Sequence, residues 1–313
     1  MTEISGAVTE ISGAVTETSG ATTQTSGATT QTSGVVAGTF GARLRVAMDR
    51  LGPLCAGIDP HPALLAQWGL DESVQGLETF AMACVEAFAG TVAVVKPQSA
   101  FFERFGSAGV AVLERTLAGL REAGTLSLLD VKRGDIGSTM TAYAHAYLSD
   151  ASPLRADAIT VSPYLGFGSL RPALDVARDN GRGLFVLALT SNPEGSQVQH
   201  ATSGGRSVAS SIVEGVTAEN SAASGAGVLG SVGMVVGATV GTAVQDLQLD
   251  LASANAPLLA PGMGAQGGTA EDLRKVFGAA LGNVLASTSR EVLSAGPDVA
   301  ALRAAARDTA ARL

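Results

Sequence analysis

From Gly41 onward, short apolar runs alternate with longer stretches of helical periodicity, and nothing else in the chain constrains the fold as strongly. The runs at 54–58, 91–95, 126–129, 158–161, 184–189, 233–236, 257–259 and 284–286 read as eight strands. Amphipathic or alanine-rich stretches separate them, among them 72–89, 108–123, one beginning near Ser138, and 297–313. A strand that hands over to a helix each time must run parallel to the next strand, and eight such units with short connections predict a closed parallel barrel. The expected fold class is therefore α/β, a (β/α)8 TIM barrel in one domain over 41–313, with the short helix 43–50 closing its bottom. A doubly wound open sheet is the alternative, but no Gly-x-Gly-x-x-Gly follows the first strand.

Composition narrows what such a barrel can do. Hydrophobic residues make up 46% of the 313 and aromatic residues only 4%, so the core is expected to be packed from small aliphatic side chains. A formal charge of −8 argues against a nucleic-acid surface, which needs a basic stripe. An anionic substrate would need a local positive pocket inside a negative molecule. Cys55 and Cys84 are unclustered and read as buried thiols of a reducing compartment. No window approaches the length of a membrane span and no basic-then-apolar leader is seen, so a cytoplasmic protein without membrane contact is expected. Residues 2–36 are five heptapeptides, TEISGAV to TQTSGVV. Ile4, Val8, Ile11 and Val15 fall at heptad spacing, but a glycine in every repeat and a seam that decays to threonine oppose a helix. Residues 1–36 are expected to be a low-complexity disordered tail, the alternative being an adhesive arm.

Chemistry in an eight-fold barrel sits at the carboxyl ends of the strands. Those ends carry Asp59, Lys96, Asp130 with Lys132, Ser162, Ser191-Asn192, the loop Pro261 to Gly268, and Ser289-Arg290. Side chains on a strand alternate faces, so Asp130 and Lys132 point the same way. The chain has only three lysines, and two of them, Lys96 and Lys132, stand at strand ends. Ser191 and Asn192, each taken alone, read as ordinary loop polar groups. The loop Pro261-Gly262-Met263-Gly264-Ala265-Gln266-Gly267-Gly268 follows the seventh strand and leads into a helix at Thr269. Glycines let backbone N–H groups approach an anion, and barrel phosphate sites lie between the loops after strands seven and eight. Arg290 can add a charged fork to the same phosphate.

His61, His145 and His200 are scattered, no His/Cys set has ligand spacing, and no Ser–His–acid triad converges on the strand ends. What remains is an alternating set of Lys and Asp beside a phosphate grip, with no metal and no cofactor expected. A lysine among carboxylates keeps its proton. It can stabilise a developing carbanion and then protonate it.

The run Asp130-Val131-Lys132-Arg133-Gly134-Asp135-Ile136-Gly137-Ser138-Thr139 resembles the Asp-x-Lys-x-x-Asp-Ile-x-x-Thr signature of orotidine 5′-phosphate decarboxylases, and in its wider form their type 2 branch. The resemblance covers roughly 41–313 and implies cofactor-independent loss of the C6 carboxylate of orotidine 5′-phosphate as CO₂, giving uridine 5′-phosphate in pyrimidine biosynthesis. It implies that Lys132 donates the proton to C6, that Asp130 flanks the leaving carboxylate, and that Lys96 bridges Asp130 and the ribose. It further implies Asp59 on a ribose hydroxyl, Gln266 and Arg290 on the phosphate with Pro261, Gly267 and Ser289 beside them, and Ser162 near the pyrimidine edge. Asp135, with Ile136 and Thr139, would serve the active site of a neighbouring subunit in a homodimer. From the residues alone, Asp135 could reach its own barrel or a neighbour's. Two departures stand out: relatives often have Asn at Ser162, and Val131 replaces a usual Ala.

Two other readings stay open at this point. Metal-dependent cousins on the same scaffold, such as 3-keto-gulonate phosphate decarboxylase or hexulose-phosphate synthase, share Asp-x-Lys-x-x-Asp but place a metal-binding acid at the end of strand two. Here that position is Lys96, whose charge would occupy the cation's place. In the other reading the repeats at 1–36 are the working part and the barrel a carrier.

Overall fold

The structure, a computed structural model, describes residues 38–264 and 267–313; the heptapeptide repeats and Gln266 lie outside the described residues. Eight strands close into a parallel barrel in sequence order: β1 Leu54–Ile58, β2 Val94–Pro97, β3 Leu126–Arg133, β4 Ala158–Val161, β5 Gly183–Leu189, β6 Val232–Val236, β7 Leu258–Pro261 and β8 Val284–Thr288. β8 pairs back on β1 through Leu54 and Ala286. Four strands lie within a residue of the positions expected from the sequence, but β2 starts three residues later than its apolar run. Thr91–Ala93 are buried ahead of the ladder, and Lys96 lies within the strand rather than after it.

The two faces of the barrel follow the period of two. One face of the strands, with Leu54, Ala56, Ile58, Leu129, Ile159, Val161, Leu184 and Ala286, packs on the surrounding helices. The other, with Cys55, Val94, Leu126, Leu128, Ala158, Phe185, Val235, Leu259 and Leu285, fills the barrel. The bottom is closed by the helix Phe40–Leu51, longer than the 43–50 expected. Its first residue, Phe40, is fully buried and meets Phe185 edge-on at 6.0 Å between ring centroids. Arg43 on the same helix donates to Asp157 at 2.7 Å and to the Gly181 carbonyl, which ties the plug to the strand starts. With the interior filled from below by apolar side chains, only the carboxyl ends are left for polar ones.

Between β5 and the helix Val208–Gly225 the chain makes an excursion absent from the sequence reading: a turn at Pro193–Gly195, a helical turn at Ser196–Gln199, and a two-stranded hairpin joining Thr202–Ser203 to Arg206–Ser207. It forms one wall of the mouth. Among the described residues, no helix is long and apolar enough to cross a membrane.

Candidate active site

Continuing each inward row by two residues beyond the apolar interior gives the site. Cys55 leads to Gly57 and Asp59, Val94 to Lys96 and Gln98, Leu128 to Asp130 and Lys132, Ala158 to Thr160 and Ser162, and Leu285 to Ser287 and Ser289. All of these beyond the first apolar residue, except Gly57, line a cavity of about 880 Å³ at the carboxyl ends, together with Pro261 and Arg290. Gly57 is required for closure: a Cβ there would lie 1.9 Å from Ser289 Oγ.

At the floor, Asp130 is the hub. Its Oδ2 accepts from Lys96 Nζ at 3.1 Å, and its Oδ1 accepts from Lys132 Nζ at 2.6 Å and from Thr160 Oγ1 at 2.8 Å. Lys96 Nζ also donates to Gln98 Oε1 at 3.2 Å. Burial by itself would push the Asp130 carboxyl up, but the two ammonium groups and the hydrogen bonds outweigh it and hold it well below the usual carboxylate range. Burial likewise opposes charge on Lys96, yet Asp130 and then Asp59 hold it above the usual lysine range. Asp130 and Lys96 are therefore fixed as an ion pair, with side chains only 9% and 7% exposed. Lys132 is different. It shares Asp130 but is 48% exposed and faces the cavity, as a group that must reach a reacting atom would. Beneath them the Cys55 thiol is pushed up to about 12 by burial and stays a neutral thiol. Asp59 Oδ1 is buried and meets no hydrogen-bond partner among the described residues.

Simple alternation does not by itself deliver Lys132. The ladder between β3 and β4 shifts register between Leu129 and Arg133, and Lys132 has φ of 45°, the left-handed region. For a non-glycine residue this costs about 1–2 kcal/mol. The Lys132 amide donates to Thr160 Oγ1 at 2.9 Å in place of a ladder carbonyl. Gly134 then passes so close to β4 that a Cβ would lie 2.3 Å from the Ser162 carbonyl oxygen.

The remaining expected site residues divide. Arg290 is exposed on the rim, with no ion-pair partner among the described residues. Gly267 does not line the cavity. Its amide donates to the Gly264 carbonyl at 2.7 Å, and the Gly264 and Gly268 amides are likewise taken by the Gly268 and Gly262 carbonyls. These three amides thus turn in on the loop itself, a correction to the expectation that they face an anion, while Gly262 and Met263 line the cavity. Asp135, Ile136 and Thr139 also stay outside their own cavity; Asp135 Oδ1 accepts from the Ile136 amide at 2.8 Å, and Ile136 is 62% exposed.

Thr160, Gln98 and, in the wall, Thr190 and Gln199 were not singled out from the sequence. Period-two counting back from Ser162 and on from Lys96 would have found the first two. The wall is held by Gln199, which donates to Thr190 Oγ1 and accepts from the Thr190 amide, while Thr190 Oγ1 donates to Asn192. Ser191 and Asn192, read singly as loop groups, both line the cavity. No group of three or more His, Cys, Asp or Glu placed to hold a metal ion occurs among the described residues.

The sequence model of the family described as orotidine 5′-phosphate decarboxylase / HUMPS matches residues 52–305. The orotidine 5′-phosphate decarboxylase of Salinispora arenicola is 64% identical over 269 residues, covering 86% of this chain and 94% of that protein. That of Streptomyces coelicolor is 62% identical over 268 residues, with 85% and 94% covered. The crystal structure of a Streptomyces avermitilis protein assigned the same activity superposes with a TM-score of 0.83 at 60% identity, over 88% of this chain and 94% of that one. The Leishmania donovani OMP decarboxylase structure superposes at 0.67 with 31% identity, over 87% and 96%.

Proposed function

The chain belongs to the orotidine 5′-phosphate decarboxylase / HUMPS family, and on that premise we propose that its chemistry runs without a cofactor through Lys132. Its reaction is the decarboxylation of orotidine 5′-phosphate to uridine 5′-phosphate in pyrimidine biosynthesis. The catalytic unit in this reading spans 41–313. The observation that carries the mechanism is the Lys96–Asp130–Lys132 array, in which one carboxylate is shared by a buried and a cavity-facing ammonium.

The phosphate is held by Arg290 and Gln266 with Ser289 and Pro261 beside it, Arg290 being a rim cation with no ion-pair partner among the described residues. Asp59 Oδ1, buried and without a partner among the described residues, accepts from a ribose hydroxyl, and Lys96 lies between that ribose and Asp130. Ser162, beside Lys132 on the neighbouring strand, meets the pyrimidine edge. This pose brings the C6 carboxylate against Asp130 and Lys132. Two carboxylates about 4 Å apart repel by ~4 kcal/mol at an effective dielectric of 20. That repulsion falls away as CO₂ leaves, while the attraction of the Lys132 ammonium for the electron pair left at C6 grows. The array is preorganised for the charge as it develops. Lys132 then gives its proton to C6. Binding of the distant phosphate supports orientation at the reacting carbon.

Asp135, Ile136 and Thr139 complete the site of a second subunit in a homodimer. The support is their position outside their own cavity and the exposed apolar rim beside them, with Ile136 at 62%, Tyr164 at 77% and Leu165 at 53% exposure at the ends of adjacent strands. In a two-fold dimer this loan is reciprocal.

A metal-dependent reading of the same motif would need an acid where Lys96 stands paired with Asp130. The discriminating experiment adds orotidine 5′-phosphate with excess chelator and follows the ultraviolet change on conversion to uridine 5′-phosphate. Undiminished turnover is expected; turnover lost to chelator and restored by a divalent cation would overturn the reading.

A further inference from the structure

We infer that Arg133 is a positioning residue for this reaction: from the outer side of the barrel its guanidinium holds the bulge that places Lys132 Nζ against Asp130. The inference rests on the reading of Lys132 as proton donor.

The bulge interrupts the β3–β4 ladder, and every backbone group along it must still find a partner. On β3, Leu129 pairs with Ile159 and Arg133 with Val161, so four steps along β3 match two along β4. The Asp130 carbonyl accepts from the Ser99 amide at 3.2 Å, and the Arg133 carbonyl from the Ser162 amide at 2.8 Å. The Val131 carbonyl accepts from Arg133 Nη1 at 3.3 Å. Arg133 therefore caps the residue immediately before the one with positive φ.

The guanidinium is itself anchored. Nη2 donates to Glu103 Oε1 at 2.6 Å and to the Tyr147 hydroxyl at 3.3 Å, and the group sits over the rings of Tyr143 and Tyr147 at 5.6 and 5.8 Å. Glu103 Oε1 also accepts from Ser99 Oγ at 2.7 Å. One side-chain network thus grips both the Asp130 segment, through the Ser99 amide, and the Val131 carbonyl, through Arg133. Arg133 does not line the cavity, so it can reach the chemistry only through Lys132.

Without this clamp β3 can relax towards regular extended backbone, which carries Lys132 Nζ away from Asp130 and from C6. A displacement of about 1 Å at a reacting group can cost about 100-fold. Substrate groups held by Arg290 and Asp59, on other strands, should be untouched. The expected signature is a loss in kcat with little change in KM.

The test compares Arg133→Met, which keeps an apolar stem against the tyrosines, with Arg133→Lys, Glu103→Gln and wild type. Turnover is read beside uridine 5′-phosphate binding by calorimetry, which counts binding-competent sites. For Arg133→Met, kcat per competent site should fall about 10- to 100-fold, with the dissociation constant within about threefold of wild type. Arg133→Lys keeps the charge for Glu103 but not a second arm for Val131, and should recover part of the loss. Unchanged kcat per competent site, or a fall that merely tracks lost sites, overturns the inference. If Arg133→Met does not fold, Glu103→Gln carries the test: a smaller loss in kcat alone is expected, and wild-type kcat overturns it. Lys132→Ala is run in parallel. Activity surviving in that variant would fail the proton-donor reading itself, whereas an inactive Lys132→Ala beside an unaffected Arg133→Met would fail only the clamp.

Discussion

Asp130→Asn should make stability rise with pH over a range in which the wild type is level. In the wild type, Asp59, Lys96, Asp130 and Lys132 balance two negative charges against two positive ones. Asparagine keeps the shape but removes one carboxylate, leaving Lys96 buried with only Asp59, which is not within ion-pair distance. Breaking a buried pair from one side costs about 3–5 kcal/mol. At roughly 2–4 °C per kcal/mol for a domain of this size, Tm should fall by about 6–20 °C. The wild-type Lys96 pKa is raised on folding, so its stabilisation is complete below the unfolded value of about 10.4 and is lost only as pH rises beyond it. The Asp130 pKa is depressed, so its contribution is present above about 3.9 and is lost as pH falls towards the folded value. Wild-type Tm should therefore be insensitive to these two groups from about pH 5 to 9. In the variant, burial acts on Lys96 with its main partner gone, and its folded pKa drops below the unfolded one. The unfolded chain then binds more protons, and stability rises with pH. Scanning calorimetry between about pH 7 and 9 should show variant Tm climbing while wild type stays level. Adding Lys96→Met to Asp130→Asn should restore most of the loss, because the uncompensated charge is gone. A variant Tm that is flat or falling over this range, or equal losses with and without Lys96, would refute the pairing argument.

Arg290→Ala should lower kcat/KM by about 10- to 150-fold, since a charge-assisted contact is worth about 1.5–3 kcal/mol, and should hardly affect a phosphate-free nucleoside; equal damage to both substrates would show another role. In wild type, kcat should be level from about pH 5 to 9, because Asp130 and Lys96 stay charged, whereas kcat/KM should fall below about pH 6 as the substrate phosphate takes its second proton. An acid limb in kcat itself within that window would contradict the pairing. Lys132→Ala and Asp135→Ala proteins, each nearly inactive, should regain about a quarter of wild-type activity when unfolded together and refolded, because half the dimers are mixed and each has one intact site. No recovery in confirmed mixed dimers would place Asp135 in its own barrel.

The barrel was legible because its strands bury both faces and its helices bury one, patterns that survive in the residues themselves. The polar row Asp59, Lys96, Asp130, Lys132, Ser162 and Ser289 was legible for the same reason: charge where an apolar strand ends is conspicuous. What the period of two concealed is the route to it. Lys132 sits on a bulge with positive φ, and a shift of register leaves no mark in composition. Thr160 and Gln98 were overlooked because neither is charged; each matters only through the partner the fold brings to it. The wall at 190–199 is built from side chains bonding to one another within a short excursion, with no periodicity to announce it. Phe40 was missed as the first residue of the bottom helix, because a lone aromatic after a threonine gives no sign that it will plug a barrel.

The most direct measurement is turnover of orotidine 5′-phosphate by Lys132→Ala alongside its affinity for uridine 5′-phosphate. Positioned proton transfer contributes about 10²–10⁴-fold, and the array loses its cavity-facing cation as well, so kcat should fall by at least that much. Product affinity should stay near wild type, because Arg290 and Asp59 remain in place. A variant that keeps a substantial fraction of wild-type kcat would remove Lys132 as the donor, and with it the mechanism built on the shared carboxylate of Asp130.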